Sequence, residues 1–280
     1  MIHTSRQLKA LVRNHSNGDS AKAQTIIRSY IMERLLERIS LSKYKERFIL
    51  KGGMLVSALV GIENRATMDI DTTIKNLPLT VDDVTNILTE IMKIEIEDGI
   101  VFSIKRVSEI MDEAEYPGLR VMLEAQLDTM KIPLKIDIST GDVITPREIQ
   151  IEYKLMFEDR TISVYAYNIE TVLAEKLETV VSRGTANTRL RDFYDLYILQ
   201  QGETVEIDLE KLRMALDATC RKRDSIAIME RGTLILNQVY QDTDMQKLWR
   251  NYQKKFDYAA DCSWDAVIEA IQNLFRKITE

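Results

Sequence analysis

Arg65-Ala66-Thr67-Met68-Asp69-Ile70-Asp71-Thr72-Thr73-Ile74 decides how this chain is read. Arg65, Thr67, Asp69, Asp71 and Thr73 alternate with Ala66, Met68, Ile70, Thr72 and Ile74, and a period of two is that of a half-buried β-strand. Asp69 and Asp71 then project side by side from one face. Neighbouring carboxylates repel, and the pair becomes favourable around a hard divalent cation, Mg²⁺ or Mn²⁺, that takes oxygen ligands and shares them with a substrate phosphate. Alone, an Asp-x-Asp is an ordinary polar strand face; its surroundings change that reading.

Upstream, Phe48-Ile49-Leu50 is a β-prone run that stops at Gly52-Gly53, and Met54 to Val60 follows as an apolar helix. Glycines in a strand-to-helix turn allow close backbone approach, and the helix N-terminus offers N–H donors to a phosphate. Lys51 adds a cation. Earlier still, Ile26, Ile27, Tyr30, Ile31, Leu35 and Ile39 mark an amphipathic helix from Ala21 to Ile39. Downstream, Pro78 ends the Asp-rich segment, Thr80 or Asp82 caps a helix through about Met92, and Val101–Val107 and Leu119–Leu127 read as strands. In Lys131–Ser139, Ile132, Leu134, Ile136 and Ile138 alternate with Lys131, Lys135, Asp137 and Ser139. If this strand neighbours the first, Asp137 is a third converging carboxylate, as two-metal phosphoryl transfer requires; otherwise it pairs with Lys135 or another cation.

Beyond Tyr165 helical periodicity dominates, with helices expected over Ile169–Ser182, Arg189–Gln200, Leu209–Ala218, Ile226–Tyr240 and Trp264–Ile278. Lys176 lies beside the apolar stripe of the first and reads by itself as a solvated lysine. Asp192 and Asp195 share a helix face among apolar neighbours, so each needs a partner; Arg183, Arg189 and Arg191 are the nearest candidates in sequence. Those arginines bracket the Gly184–Thr188 loop, and guanidinium groups suit a triphosphate because they bind oxygens in a fork and stay charged. The chain thus divides into an α+β part over residues 1–165 and a helical part over 166–280.

Composition bounds the answer. The 280 residues carry 38 Lys+Arg and 44 Asp+Glu, a net charge of −6, which argues against non-specific nucleic-acid coating. Cys220 and Cys262 are far apart and form no CxxC, so neither a disulfide scaffold nor a thiolate zinc site is expected. No run approaches the ~18 apolar residues of a membrane span, and the N-terminus lacks a signal peptide's apolar core. A cytoplasmic protein is the expectation.

Together, Lys51-Gly52-Gly53, Arg65-x-Thr67-x-Asp69-Ile70-Asp71 and Lys135-Ile136-Asp137-Ile138-Ser139 resemble the polymerase-β-type nucleotidyltransferase superfamily. With Leu173-Ala174-Glu175-Lys176-Leu177-Glu178 and Arg189-x-Arg191-Asp192-Phe193-Tyr194-Asp195-Leu196, the chain looks like the AbiEii/AbiGii toxins of type IV toxin–antitoxin and abortive-infection systems. The resemblance covers about Phe48 to Leu199. It implies a polymerase-β-like α+β domain with a mixed sheet, then a helical bundle, and an NTP bound between them. It assigns metal to Asp69, Asp71 and Asp137, nucleotide contacts to Lys51, Gly52, Gly53, Arg65, Thr67, Arg189 and Arg191, and catalysis to Asp69, Asp71, Lys176 and Asp192. It further implies the 3′ end of tRNA as acceptor, and a neighbouring DNA-binding antitoxin that need not touch the toxin. Many relatives have Gly-Ser where this chain has Gly52-Gly53, which leaves backbone donors alone at that turn. A small-molecule or protein hydroxyl is the alternative acceptor, and a non-catalytic nucleotide- or RNA-binding regulator is the rival of another class.

Overall fold

The computed structural model describes residues 2–110, 118–202 and 206–280. Its elements are α1 (Ser5–Ser16), α2 (Ser20–Leu41), β1 (Phe48–Lys51), α3 (Gly52–Val60), β2 (Ile70–Ile74), α4 (Val81–Met92), β3 (Ile100–Ile110), β4 (Gly118–Leu127), β5 (Met130–Thr140), β6 (Ile149–Lys154) and β7 (Thr161–Ala166), then α5 (Ile169–Arg183), α6 (Leu190–Gln201), α7 (Leu209–Lys222), α8 (Ile226–Met229), α9 (Gly232–Gln241), α10 (Thr243–Lys255) and α11 (Trp264–Thr279). Two units emerge: Met1–Ala58 with Ala66–Asp142 and Ile149–Ala166, and Leu59–Arg65 with Val143–Glu148 and Tyr167–Glu280.

The first unit is built on a seven-stranded mixed sheet in the order β3-β4-β5-β2-β1-β7-β6. β2 runs parallel to β5 and β1 parallel to β7, while β1–β2, β3–β4, β4–β5 and β6–β7 are antiparallel. The alternation read in β5 holds: Ile132, Leu134, Ile136 and Ile138 are buried, so Lys135 and Asp137 share the opposite face. Helix starts follow side-chain capping. Asp19 accepts from the N–H groups of Ala21 and Lys22 ahead of α2, and Thr80 from Asp83 ahead of α4.

α2 is less amphipathic than expected, because Glu33, Arg34, Glu37 and Arg38 are buried along with its apolar side chains. They survive burial by pairing. Arg38 grips Asp98 with two bonds of 2.8 and 2.9 Å, Arg34 meets Glu37 and Glu158, and Glu33 accepts the Met156 N–H at 3.0 Å.

Four sequence expectations need correction. The strand does not begin at Arg65: residues 65–69 are irregular and β2 starts at Ile70, because Arg65, itself part of the second unit, is bound to Asp195 there. Gly52-Gly53 is not a separate turn but the first turn of α3 itself, with Gly52 at φ +63°. The helix expected over Ile226–Tyr240 is broken into α8 and α9. Gly232 opens α9 beneath the Phe275 ring, where a Cβ would collide. Finally, α1, β6, β7 and α10 are elements the sequence patterns did not reveal.

The second unit is helical apart from its loops. Asn168 caps α5 by accepting from Thr171 N–H at 2.8 Å, while its own amide donates to the Thr145 and Arg147 carbonyls, each at 2.9 Å. Its core includes Leu173, Leu177, Val180, Phe193, Leu196, Trp249, Ile271 and Phe275.

Candidate active site

Strand register assembles the carboxylate face. Asp71 on β2 lies opposite Asp137 on β5, and Ile70 opposite Ile136, so the residue before β2, Asp69, falls beside Lys135. Lys135 Nζ sits 2.8 Å from Asp69 Oδ2 and 3.5 Å from Asp137 Oδ2. Register also sets Arg120 of β4 against Asp137, and Lys51 of β1 against Asp71. One row across four strands therefore reads Arg120, Asp137, Asp71, Lys51: two acids between two bases.

Arg120 binds Asp137 through a fork of two 2.8 Å bonds. Lys51 forms its ion pair with Asp142, which also accepts from the Ser139 hydroxyl at 2.8 Å. At Asp71 burial outweighs the compensations. Burial first, then the charges of Asp137 and Asp69, push its carboxyl above the ordinary aspartate value, against the pull of Lys51 and the Gly53 N–H that bonds it. The Gly53 donor expected for a phosphate is thus directed at Asp71. Gly52 makes room for this approach, since a Cβ there would run into the Asp71 side chain.

The sequence put Asp137 beside Asp69 and Asp71 only if their strands are neighbours; they are, and Asp137 is also ion-paired with Arg120 and Lys135. Sequence reasoning had Lys135 on the same strand side as a candidate partner of Asp137, which holds, and it missed Arg120 and Asp142 as members of the same face. Lys135 was visible two residues before Asp137 on the same strand side; Asp142 and Arg120 became findable only with the turn after β5 and the β4–β5 register. Thr67 is buried, with its hydroxyl 3.4 Å from the Asp69 carbonyl, so it supports the bend that carries Asp69.

As to metal, the donors are hard oxygens, the set Mg²⁺ takes, and a cation already stands between Asp69 and Asp137 in the form of the Lys135 ammonium. The residues present fit a divalent ion in donor type and charge. Among the described residues, no three His, Cys, Asp or Glu side chains are spaced as a ready-made metal cluster; with an ammonium between two of the acids, the spacing is that of an ion-paired face.

The second unit holds a different cluster. Lys176 Nζ of α5 lies 2.8 Å from both Asp192 and Asp195 of α6, and Arg65 donates to Asp195 through Nε at 2.5 Å and Nη2 at 3.3 Å. The Tyr194 hydroxyl is within bonding reach of the Asn64 carbonyl (2.6 Å), which helps deliver Arg65. Lys176 is therefore not the solvated lysine its helix position suggested, and the partners of Asp192 and Asp195 are Lys176 and Arg65 in place of Arg183, Arg189 or Arg191. Burial disfavours both charges at the cluster's centre, but it is outweighed: Asp192 and Asp195 raise Lys176, and Lys176 with Arg65 lowers Asp195. Arg65, only 3% exposed, is a buried support of Asp195. Arg189 is exposed ahead of α6, and the Arg191 guanidinium lies 5.3 Å from the Phe256 ring centre.

The sequence profile of the family described as "Nucleotidyl transferase AbiEii toxin, Type IV TA system" matches residues 34–270. Among solved structures, a candidate nucleotidyltransferase from Helicobacter pylori superposes with a TM-score of 0.51 at 16% identity, over 91% of this chain and 94% of that one. JHP933, also from Helicobacter pylori, gives a TM-score of 0.49 at 16% identity over 91% of each chain. No curated protein matches the sequence significantly. Among the described residues, no helix is long and apolar enough to cross a membrane.

Proposed function

From the premise that the chain belongs to the AbiEii family of nucleotidyltransferase toxins, we propose that it transfers a nucleoside monophosphate from an NTP to the 3′ end of tRNA, with Mg²⁺ or Mn²⁺ as cofactor. The observation that carries this reading is the β2–β5 register, which sets Asp71 against Asp137 beside Asp69. Asp69 and Asp71 would hold the metal, with Asp137 completing the set. Metal there would neutralise phosphate charge and draw acceptor and leaving group into line. The acceptor hydroxyl oxygen bonds to the α-phosphorus, the bond from that phosphorus to the α–β bridging oxygen breaks, pyrophosphate leaves, and the hydroxyl proton passes to a carboxylate of this face.

Lys51 suits the triphosphate by its charge, while Gly52 and Gly53 serve by seating the Asp71 carboxylate at the start of α3. Arg189, exposed, and Arg191, half-buried, are the arginines that the family's motif offers to the phosphates. Lys176 and Asp192 keep the phosphate-contacting and transfer roles implied by the family's motifs, while Arg65 acts by fixing Asp195. Modified tRNA ends would no longer accept amino acids, a growth-arresting outcome suited to phage defence. An antitoxin encoded beside the toxin, acting on DNA, would complete the system.

The test is incubation with each α-³²P-labelled NTP, Mg²⁺ and total tRNA, beside the Asp69→Ala, Asp71→Ala double variant. Label on tRNA with the wild type alone is expected. Label on protein or on a small hydroxyl compound instead would reject the tRNA acceptor. NTP binding without any transfer would point to the regulator.

A further inference from the structure

We propose that Lys135 is the internal counter-ion of the carboxylate face, competing with the divalent cation for Asp69 and Asp137 and so setting the metal concentration at which the site loads. The inference rests on the metal reading given above. Three acids meet on this face before any ligand arrives, and like charges at strand spacing destabilise one another. Lys135 is placed to relieve that repulsion by the same register that creates it. As residue i−2 of Asp137 it projects to the same side of β5, and the β2–β5 pairing brings Asp69 next to it. Its ammonium contacts Asp69 at 2.8 Å and Asp137 at 3.5 Å.

Of the other two bases, Arg120 closes a two-bond fork on Asp137 from the β4 side, and Lys51 is ion-paired with Asp142. Lys135 bridges two of the acids, Asp69 and Asp137. An ammonium on a flexible four-carbon stem can withdraw without disturbing the backbone, as a forked guanidinium cannot. Its side chain is one-quarter exposed, so solvent is available to receive it.

The experiment measures Mn²⁺ binding to metal-stripped full-length protein by electron paramagnetic resonance. Lys135→Met keeps the length and removes the charge; it is expected to bind Mn²⁺ about three- to tenfold more tightly and to melt lower than wild type in EDTA. Lys135→Arg retains the charge and is expected to bind no more tightly than wild type. Equal or weaker Mn²⁺ binding by Lys135→Met overturns the inference while leaving the metal reading intact. Absence of Mn²⁺ binding in both wild type and variant overturns the metal reading and the inference with it. Should Lys135→Met not fold, reductive methylation of wild-type lysines, read by mass spectrometry, decides: Lys135 labelling is expected to rise when Mn²⁺ is added, and an unchanged rate refutes displacement.

Discussion

The chain holds two charged clusters of similar make-up and opposite character. On the sheet face, four carboxylates, Asp69, Asp71, Asp137 and Asp142, meet three bases, Lys51, Lys135 and Arg120. Within the helical unit, Asp192 and Asp195 meet Lys176 and Arg65, two against two. The balanced cluster can be buried, and Asp195 is fully so. The unbalanced one stays at a half-buried face, and there burial first, then the neighbouring acids, make Asp71 the harder to ionise. The difference separates an arrangement that is complete as folded from one that gains by taking up a cation.

The largest consequence concerns Asp71. Asp71→Asn is expected to reduce nucleotidyl transfer by about 10⁴-fold, since metal-held charge stabilisation is worth several kcal/mol. Its thermal melting point should stay level or rise, because a repelling charge is removed. A melt that falls by more than a few degrees would show that Asp71 is a structural acid and erase the contrast between the clusters.

Asp195→Asn should do the reverse to stability. It leaves Lys176 and Arg65 charged and buried with half their partners gone, a loss of about 3–5 kcal/mol in chemical denaturation. A loss under about 1 kcal/mol would mean that water or a ligand already screens this cluster.

How much of this was legible follows from the range over which each interaction acts. The β5 alternation and the helix cap at Thr80 are set by neighbours a few residues apart and were readable, whereas Asp137 could join Asp69 and Asp71 only on the condition that their strands are neighbours, which the β2–β5 register supplies. The alternation from Arg65 misled, because a period of two records polarity and not the destination of a side chain. Arg65 is satisfied by Asp195, 130 positions away, and no local pattern encodes that. α2 gave a similar lesson. Its charged residues looked solvent-facing, yet Arg38 meets Asp98 across 60 positions and Arg160 meets Glu37 across 123. The bases of the sheet face were written in the sequence as separate residues, and only the register made them a row.

Glu33 sharpens the comparison through pH. It is buried like Asp195, though less completely, but its direct bonds come from the Met156 N–H and the Tyr153 hydroxyl instead of two bases. Burial dominates and lifts its carboxyl to about 7 from an ordinary 4.5. Between those values the folded state binds more protons than the unfolded one, so stability falls as pH rises from about 4.5 to 7. Asp195, held low, gives the opposite slope: its contribution is present above the ordinary aspartate value and is lost on acidification. Glu33→Gln, which imitates the protonated form, is expected to flatten the neutral-side decline, gaining roughly 2–3 kcal/mol at pH 8 over wild type and little at pH 4. Equal gains at both pH values would assign the effect to packing.

The smallest expected change tests whether the helical unit carries a working cation outside its neutral cluster. Arg191 has no carboxylate in its described ion pairs; its guanidinium rests over the partly exposed Phe256 ring, which Lys255 also approaches at 5.5 Å. A contact of this kind at an accessible site is worth about 0.5–1 kcal/mol, so Arg191→Ala should shift the melting point by only a few degrees. If Arg191 also meets the triphosphate, the NTP KM should rise about tenfold with that small stability loss, and Arg191→Lys should recover the charge but not the forked geometry, restoring KM only in part. An unchanged KM beside the same small shift would make Arg191 a packing residue and leave Arg189 and Lys176 as the cations of the second unit offered to the phosphates.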